Sequence, residues 1–374
     1  MGGFRIPKPE RTGVRLSLSR TKRNGTMTAN LSEASLSDTH VPRISEAQAQ
    51  SVALKYYGLK AVARELTGER DRNFHLKAPQ GEYVLKISSA LEDPATTAFQ
   101  NAMLRHLEGA GTDVPIPRLI PTVEGADEAL IGAEGVRHIV RLVTYLNGTP
   151  LSHWPASHAI RVQVAQISAR MVLALEDFSS PYIDTDMLWN IARADRIQPL
   201  LSAVEDRAVR EVSEAVFARF DDVVAPTLAA LPTQFIHNDL NLHNLIVGDG
   251  GLISGVIDFG DAVKSHSVCD LATAAAYQLF DVDDPIAALS EMVAAFHAIR
   301  PLTEAEIELI FDLVRARWAI TVGIAHWRAR RHPANGVYIM RNAPRSITAL
   351  MAVAELSPSD VADKLKTACQ RSAA

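Results

Sequence analysis

Ile160, Val164, Ile167, Met171 and Leu175 recur at the spacing of one helix face and hold it apolar over four turns. Ile307, Phe311, Val314, Trp318, Val322 and Ala325 form a second such stripe. Thr303-Glu304-Ala305-Glu306 opens that stripe as a capping box. Upstream the pattern is shorter and more broken. Ser45 with Gln48 three residues on predicts a helix running to about Gly58. Three β-like runs follow, around Val62–Leu66, Phe74–Lys77 and Tyr83–Ile87, separated by turns over Thr67–Asn73 and Ala78–Gly81. Asp93-Pro94 caps a further helix with Phe99, Met103 and Leu107 on one face, stopped by Gly109 to Gly111. Val136–Leu146 reads as a last strand, and Asn147-Gly148 with Pro150 predicts a hinge. The expected class is α+β in two lobes. A small antiparallel-sheet N-lobe with helices covers 44–146, and a larger, mostly helical C-lobe covers 147–374.

Composition supports two such lobes, since 47% of the 374 residues are hydrophobic. No apolar stretch approaches a membrane span. Two cysteines, Cys269 and Cys369, are too few for a disulfide framework, which points to a reducing, cytoplasmic setting. A net charge of −5 gives no reason to expect nucleic acid as a partner. The charge is uneven. Residues 1–27 carry seven basic side chains against Glu10, with scattered Pro, Gly and Ser and no apolar period. Such a segment cannot offset the entropy of its own ordering, so 1–43 is expected to be a disordered basic extension. It lacks the apolar region of a secretory signal. A transit peptide fits its composition, and translation from Met27 is the simpler account.

The chemistry concentrates in two short segments. His237-Asn238-Asp239-Leu240-Asn241-Leu242-His243-Asn244 is followed fourteen positions on by Asp258-Phe259-Gly260-Asp261. Between them, branched runs flank Gly248-Asp249-Gly250-Gly251, a hairpin signal that would bring Asn244 and Asp258 side by side. The spacing H-x-D-x-x-x-x-N before D-F-G is that of a phosphoryl-transfer site. Asp239 would accept a hydroxyl proton, while Asn244 and Asp258 would hold Mg²⁺ against nucleotide phosphates. Read as a zinc or manganese set, His237, Asp239 and His243 would leave Asn244 and the D-F-G segment without a role. His237 is expected to brace the loop. Lys86, the single charge in Tyr83-Val84-Leu85-Lys86-Ile87, needs an anion, and phosphate would supply one. Gln100 stands where a helix carboxylate would orient such a lysine. That departure allows a second reading, a silent nucleotide-binding regulator.

With no lysine two residues after Asp239, and with Asp270-Leu271-Ala272 downstream, the chain resembles the aminoglycoside phosphotransferase and choline kinase group. Within that group it is similar to the branch of hydroxylysine kinase and its bacterial relatives. The likeness runs through Glu69–Phe74, Tyr83–Ile87, Phe99–Asn101, Arg141–Leu146, Leu188–Asn190 and the two catalytic segments, over about 45–350. It implies a protein-kinase-like fold, ATP or GTP as donor with Mg²⁺, and a small hydroxyl-bearing acceptor. By the same likeness Asp239 is the base, Asn244 and Asp258 are the metal ligands, and Lys86, Arg70, Asn73, Gln100 and Tyr145 contact nucleotide. Asp261, Trp189, Arg315, Arg317 and Trp318 are the candidates for acceptor binding, because an amino-acid acceptor offers a carboxylate and an ammonium. The acceptor implied is 5-hydroxylysine, with homoserine, choline, ethanolamine and aminoglycosides as alternatives.

Overall fold

A computed structural model describes residues 42–66, 71–133, 136–181 and 187–372. The 1–41 part of the basic extension and Arg70 lie outside the described residues. The chain opens with α1 (Glu46–Tyr57), whose Ser45–Gln48 capping box and left-handed Gly58 bound it as expected. Next come β1 (Val62–Leu66), β2 (Arg72–Ala78), β3 (Gly81–Ile87), α2 (Pro94–Gly109), β4 (Leu119–Ile120), β5 (Ala129–Ala133) and β6 (Val136–Thr144). The strands form one antiparallel sheet in the order β1-β2-β3-β6-β4, with β5 also paired to β6. Alternation gives the sheet two unlike faces. Phe74, Leu76, Leu85, Ile87, Val140 and Leu142 are fully buried and pack with Ala49 and Ala53 of α1. The opposite face carries the polar members of the same strands and lies beneath α2.

The second lobe contains β7 (Thr149–Pro150), α3 (His158–Ala174), α4 (Arg207–Arg219), α5 (Ala225–Leu228), β8 (Gln234–Ile236), β9 (Leu245–Val247), β10 (Ile253–Val256) and β11 (Val263–Ser265). It is completed by α6 (Ser267–Gln278), α7 (Pro285–His297), α8 (Glu304–Arg331), α9 (Gly336–Ile339), α10 (Ala343–Ala352) and α11 (Pro358–Ser372). The axis of the lobe is α8. Its predicted Thr303–Glu306 capping box is formed, and it is buried on all sides from Leu309 to Ala325. A single apolar stripe would suit a helix lying on a surface; α8 is buried all round because α4, α6, α10 and α11 surround it. Where the lobes meet, Phe99 of α2 packs against Phe178 and Phe235 at centroid distances of 6.0 and 5.3 Å. The arrangement is a bilobal, protein-kinase-like α+β fold. No helix among the described residues is long and apolar enough to cross a membrane.

Candidate active site

β9 and β10 pair as the predicted hairpin, with Gly250 and Gly251 at φ 73° and 76° making its turn. The Ile257 N–H donates to the Asn244 carbonyl at 2.9 Å, so Asn244 and Asp258 stand at the entrance and exit of one hairpin. The Asp258 backbone lies in the left-handed region (φ 66°), and among the described residues its Oδ1 accepts only the nearby Gly260 N–H at 3.2 Å. Asn244 Nδ2 donates to both the carbonyl and Oδ2 of Asp239, at 3.0 and 2.7 Å. Among the described residues nothing donates to Asn244 Oδ1. A bare amide oxygen and an exposed carboxylate on linked backbones fit Mg²⁺, which takes few protein ligands and completes its octahedron with phosphate and water.

Asp239 is held from three sides. Asn241 and Asn244 donate to its Oδ2, and Arg317 Nη2 reaches Oδ1 at 3.3 Å. Arg317 is 1% exposed and also donates to the Trp189 carbonyl at 2.7 Å and the Tyr277 hydroxyl at 3.3 Å. Burial alone would lower its pKa, but Tyr277 and Asp239 beside it hold it above its ordinary value. Its guanidinium therefore backs Asp239. The same helix sends its neighbours elsewhere. Arg315, about 200° around α8, lies 3.6 Å from Asp312 and over the Phe311 ring. Trp318 is a core residue whose indole donates to the Ala276 carbonyl at 2.8 Å. These two do not join the cluster around Asp239.

His237 is fully buried, with Nε2 3.2 Å from the Ile257 carbonyl and its ring edge-on to Phe259. It braces the two segments against each other. With that nitrogen occupied and His243 exposed, the set His237, Asp239 and His243 does not converge on a metal. Asp270, of the Asp270-Leu271-Ala272 element, anchors the turn before Asp239. Its Oδ1 accepts the N–H of Asn238 at 2.7 Å, which fixes the left-handed turn (φ 65°) before Asp239. Asn238 Nδ2 in turn donates to the Asp261 carbonyl at 3.1 Å.

In the N-lobe, strand register sets Asn73 opposite Lys86 and Lys86 opposite Arg141, all on the face away from α1. Gln100 is buried on α2 and makes no bond to Lys86 among the described residues. Tyr145 stacks on His75 at 4.0 Å, and its N–H donates to the Glu82 carbonyl. That stack flanks Val84 and Val143, which share the face of Lys86 one row along.

Residues 62–308 match the phosphotransferase enzyme family. The chain belongs to that family. Among its curated relatives is mouse (Mus musculus) hydroxylysine kinase, 28% identical over 81% of this chain and 87% of that protein. Another is homoserine kinase of Chelativorans sp. (strain BNC1), 30% identical over 66% of this chain and 74% of that protein. Among solved structures, a microcompartment-associated aminopropanol kinase shares the fold with a TM-score of 0.60 and 16% identity, over 86% of this chain and all of that one. As a member of the phosphotransferase family, the chain is a small-molecule kinase that phosphorylates a hydroxyl acceptor.

Proposed function

We propose that the chain transfers the terminal phosphoryl group of ATP or GTP to the hydroxyl of a small amine-bearing amino acid, with 5-hydroxylysine the leading acceptor. One observation carries the choice of acceptor. A cavity of about 210 Å³ is lined by Asn241, which donates to Asp239, and by Tyr277, Arg341 and Arg345. Arg345 is paired with Asp281, whereas Arg341 lies over the Tyr338 ring with no acid partner among the described residues. A hollow of that size with arginines in its wall favours a small acceptor with a carboxylate. It disfavours an aminoglycoside, whose several ammonium groups the arginines would repel.

In this reading Asp239 receives the proton of the acceptor hydroxyl. Arg317, Asn241 and Asn244 hold its carboxylate in place before the acceptor arrives. Asn244 and Asp258 hold Mg²⁺. When bound there, Mg²⁺ would neutralise charge on the transferring phosphoryl group. Lys86 and Asn73 meet the phosphates, with Tyr145 and His75 beside the base. Asp261 and the Trp189 ring are the partners proposed for the acceptor ammonium. Homoserine is the second reading. The Chelativorans relative favours it, and homoserine carries the same carboxylate on a shorter chain. A coupled assay across 5-hydroxylysine, homoserine, choline, ethanolamine and kanamycin, with ATP and GTP tried separately, tests the proposal. Saturable turnover of 5-hydroxylysine is expected. Turnover of choline or kanamycin with both amino acids inert would reject it.

A further inference from the structure

Strands β2, β3 and β6 carry Asn73, Lys86 and Arg141 side by side in one row. Directly opposed Cβ atoms in a sheet lie about 5 Å apart, so two cations placed there repel. Among the described residues neither Lys86 nor Arg141 has a carboxylate at ion-pair distance. Arg141 is 4% exposed, yet its single hydrogen bond among the described residues runs from Nη1 to the neutral amide oxygen of Asn101 on α2, at 3.2 Å. Among the described residues its Nε has no partner, and neither does the buried Oδ1 of Asn73 at the other end of the row.

Burial pushes the Arg141 pKa down; Asp71, Glu128, Glu92 and Asp258 oppose that from a distance. Glu128, the acid that might have reached Arg141, is instead held by Asn101 Nδ2 at 3.0 Å. A buried guanidinium beside an ammonium, with donors left over and no carboxylate at ion-pair distance among the described residues, is a costly arrangement unless an anion completes it. The position on α2 that would supply a carboxylate to Lys86 carries Gln100. The helix uses the next residue, Asn101, to grip Arg141.

We propose that Arg141 and Lys86 together form a two-cation seat for the polyphosphate of the nucleotide, with Arg141 positioned by Asn101. The seat rests on the reading of the chain as a nucleotide-dependent kinase. The fork of a guanidinium suits this task. One nitrogen keeps the bond to Asn101 while the others turn to phosphate oxygens, which a lysine cannot do. The link from sheet to α2 thus runs through a second cation on β6 in place of a helix carboxylate.

Titration calorimetry on the full chain with Mg²⁺ tests this, using a non-hydrolysable ATP analogue and adenosine as separate probes. Arg141→Gln should weaken the analogue by about 10–100-fold, the range for hydrogen bonds to a charged group, and leave adenosine within about twofold. Steady-state KM for nucleotide should rise while KM for the acceptor stays unchanged. Arg141→Lys keeps the charge, so it decides the matter if the glutamine variant does not fold. It should lose about 3–10-fold for the analogue because the fork is gone, again sparing adenosine. Unchanged analogue affinity in these variants would remove Arg141 from the site and leave the kinase reading standing. Equal losses for analogue and adenosine would mark a packing role and overturn the seat. A wild-type chain that bound no nucleotide would overturn the kinase reading along with it.

Discussion

Arg317 Nη2 lies 3.3 Å from Asp239 Oδ1, so the proposed base is paired with a cation buried beneath it. The pair ties catalysis to stability, because either partner alone leaves a charge in a place that burial penalises. Asp239→Asn should slow turnover by about 10²–10⁴-fold, the usual contribution of a general base. Asp239→Ala should in addition lower stability by about 3 kcal/mol, the order expected when a buried pair loses one member. Adding Arg317→Leu should restore much of the stability and none of the activity. Denaturant melts and a coupled assay on these three proteins and on Arg317→Leu alone read both effects. Additive stability losses in the double variant would show that the two residues do not act as a pair.

Asp258 and Asn244 should fail differently. Among the described residues Asp258 accepts only its local Gly260 N–H, so Asp258→Ala should abolish Mg²⁺-dependent transfer, with a modest fall in melting temperature from alanine at a left-handed φ of 66°. Asn244 also donates to Asp239 at 2.7 Å, so Asn244→Ala should lose metal affinity and disturb the base together. A Mg²⁺ titration of activity separates them. Recovery of Asn244→Ala to wild-type turnover at saturating Mg²⁺ would deny the second role.

Arg341 tests the acceptor pocket. Arg341→Ala should raise KM for 5-hydroxylysine or homoserine by about 10-fold or more and leave KM for nucleotide unchanged. An amino alcohol without a carboxylate should not distinguish the variant from wild type. If the two classes of acceptor lose affinity equally, Arg341 does not read the carboxylate.

His266, just before α6, gives a pH prediction independent of catalysis. Burial holds its imidazole pKa below the ordinary value, against the Pro232 carbonyl that its Nδ1 meets at 3.1 Å and the nearby Glu306. The folded state therefore binds this proton less well than the unfolded state. The stability associated with neutral His266 is present above the unfolded pKa of about 6.5 and is lost as pH falls through the folded pKa. Melting temperatures measured downward from pH 7.5 should fall below about 6.5, and His266→Gln should flatten that slope. An unchanged slope in the variant would assign the acid sensitivity elsewhere.

Lys86 and Arg141 show how far a sequence reading reaches. Lys86 is the lone charge of Tyr83–Ile87, whereas Arg141 shares its strand with Arg137. Lys86 was interpretable because a downstream motif supplied its anion. Arg141 was not, because its meaning comes from the β3–β6 register across more than fifty residues. The short strands β4 and β5 went unpredicted for a similar reason. They are stable through pairing with β6, with little pattern of their own.

The sequence by itself determined the local elements and the spacing of the candidate site residues. Caps at Ser45 and Thr303, the Gly248–Gly251 turn and the spacing from Asp239 through Asn244 to Asp258 all act within a few residues or one hairpin, where backbone geometry follows from residue type. Tertiary structure alone decided which side chains those elements bring together. Helical rotation turned Arg317 onto Asp239 and Arg315 onto Asp312, while burial on every side of α8 took Trp318 into the core. Asp270 and Arg341 likewise reach the site only because α6 and the stretch before α10 pack there. The partner of a buried charge depends on contacts between segments far apart in the chain, and no local pattern encodes them.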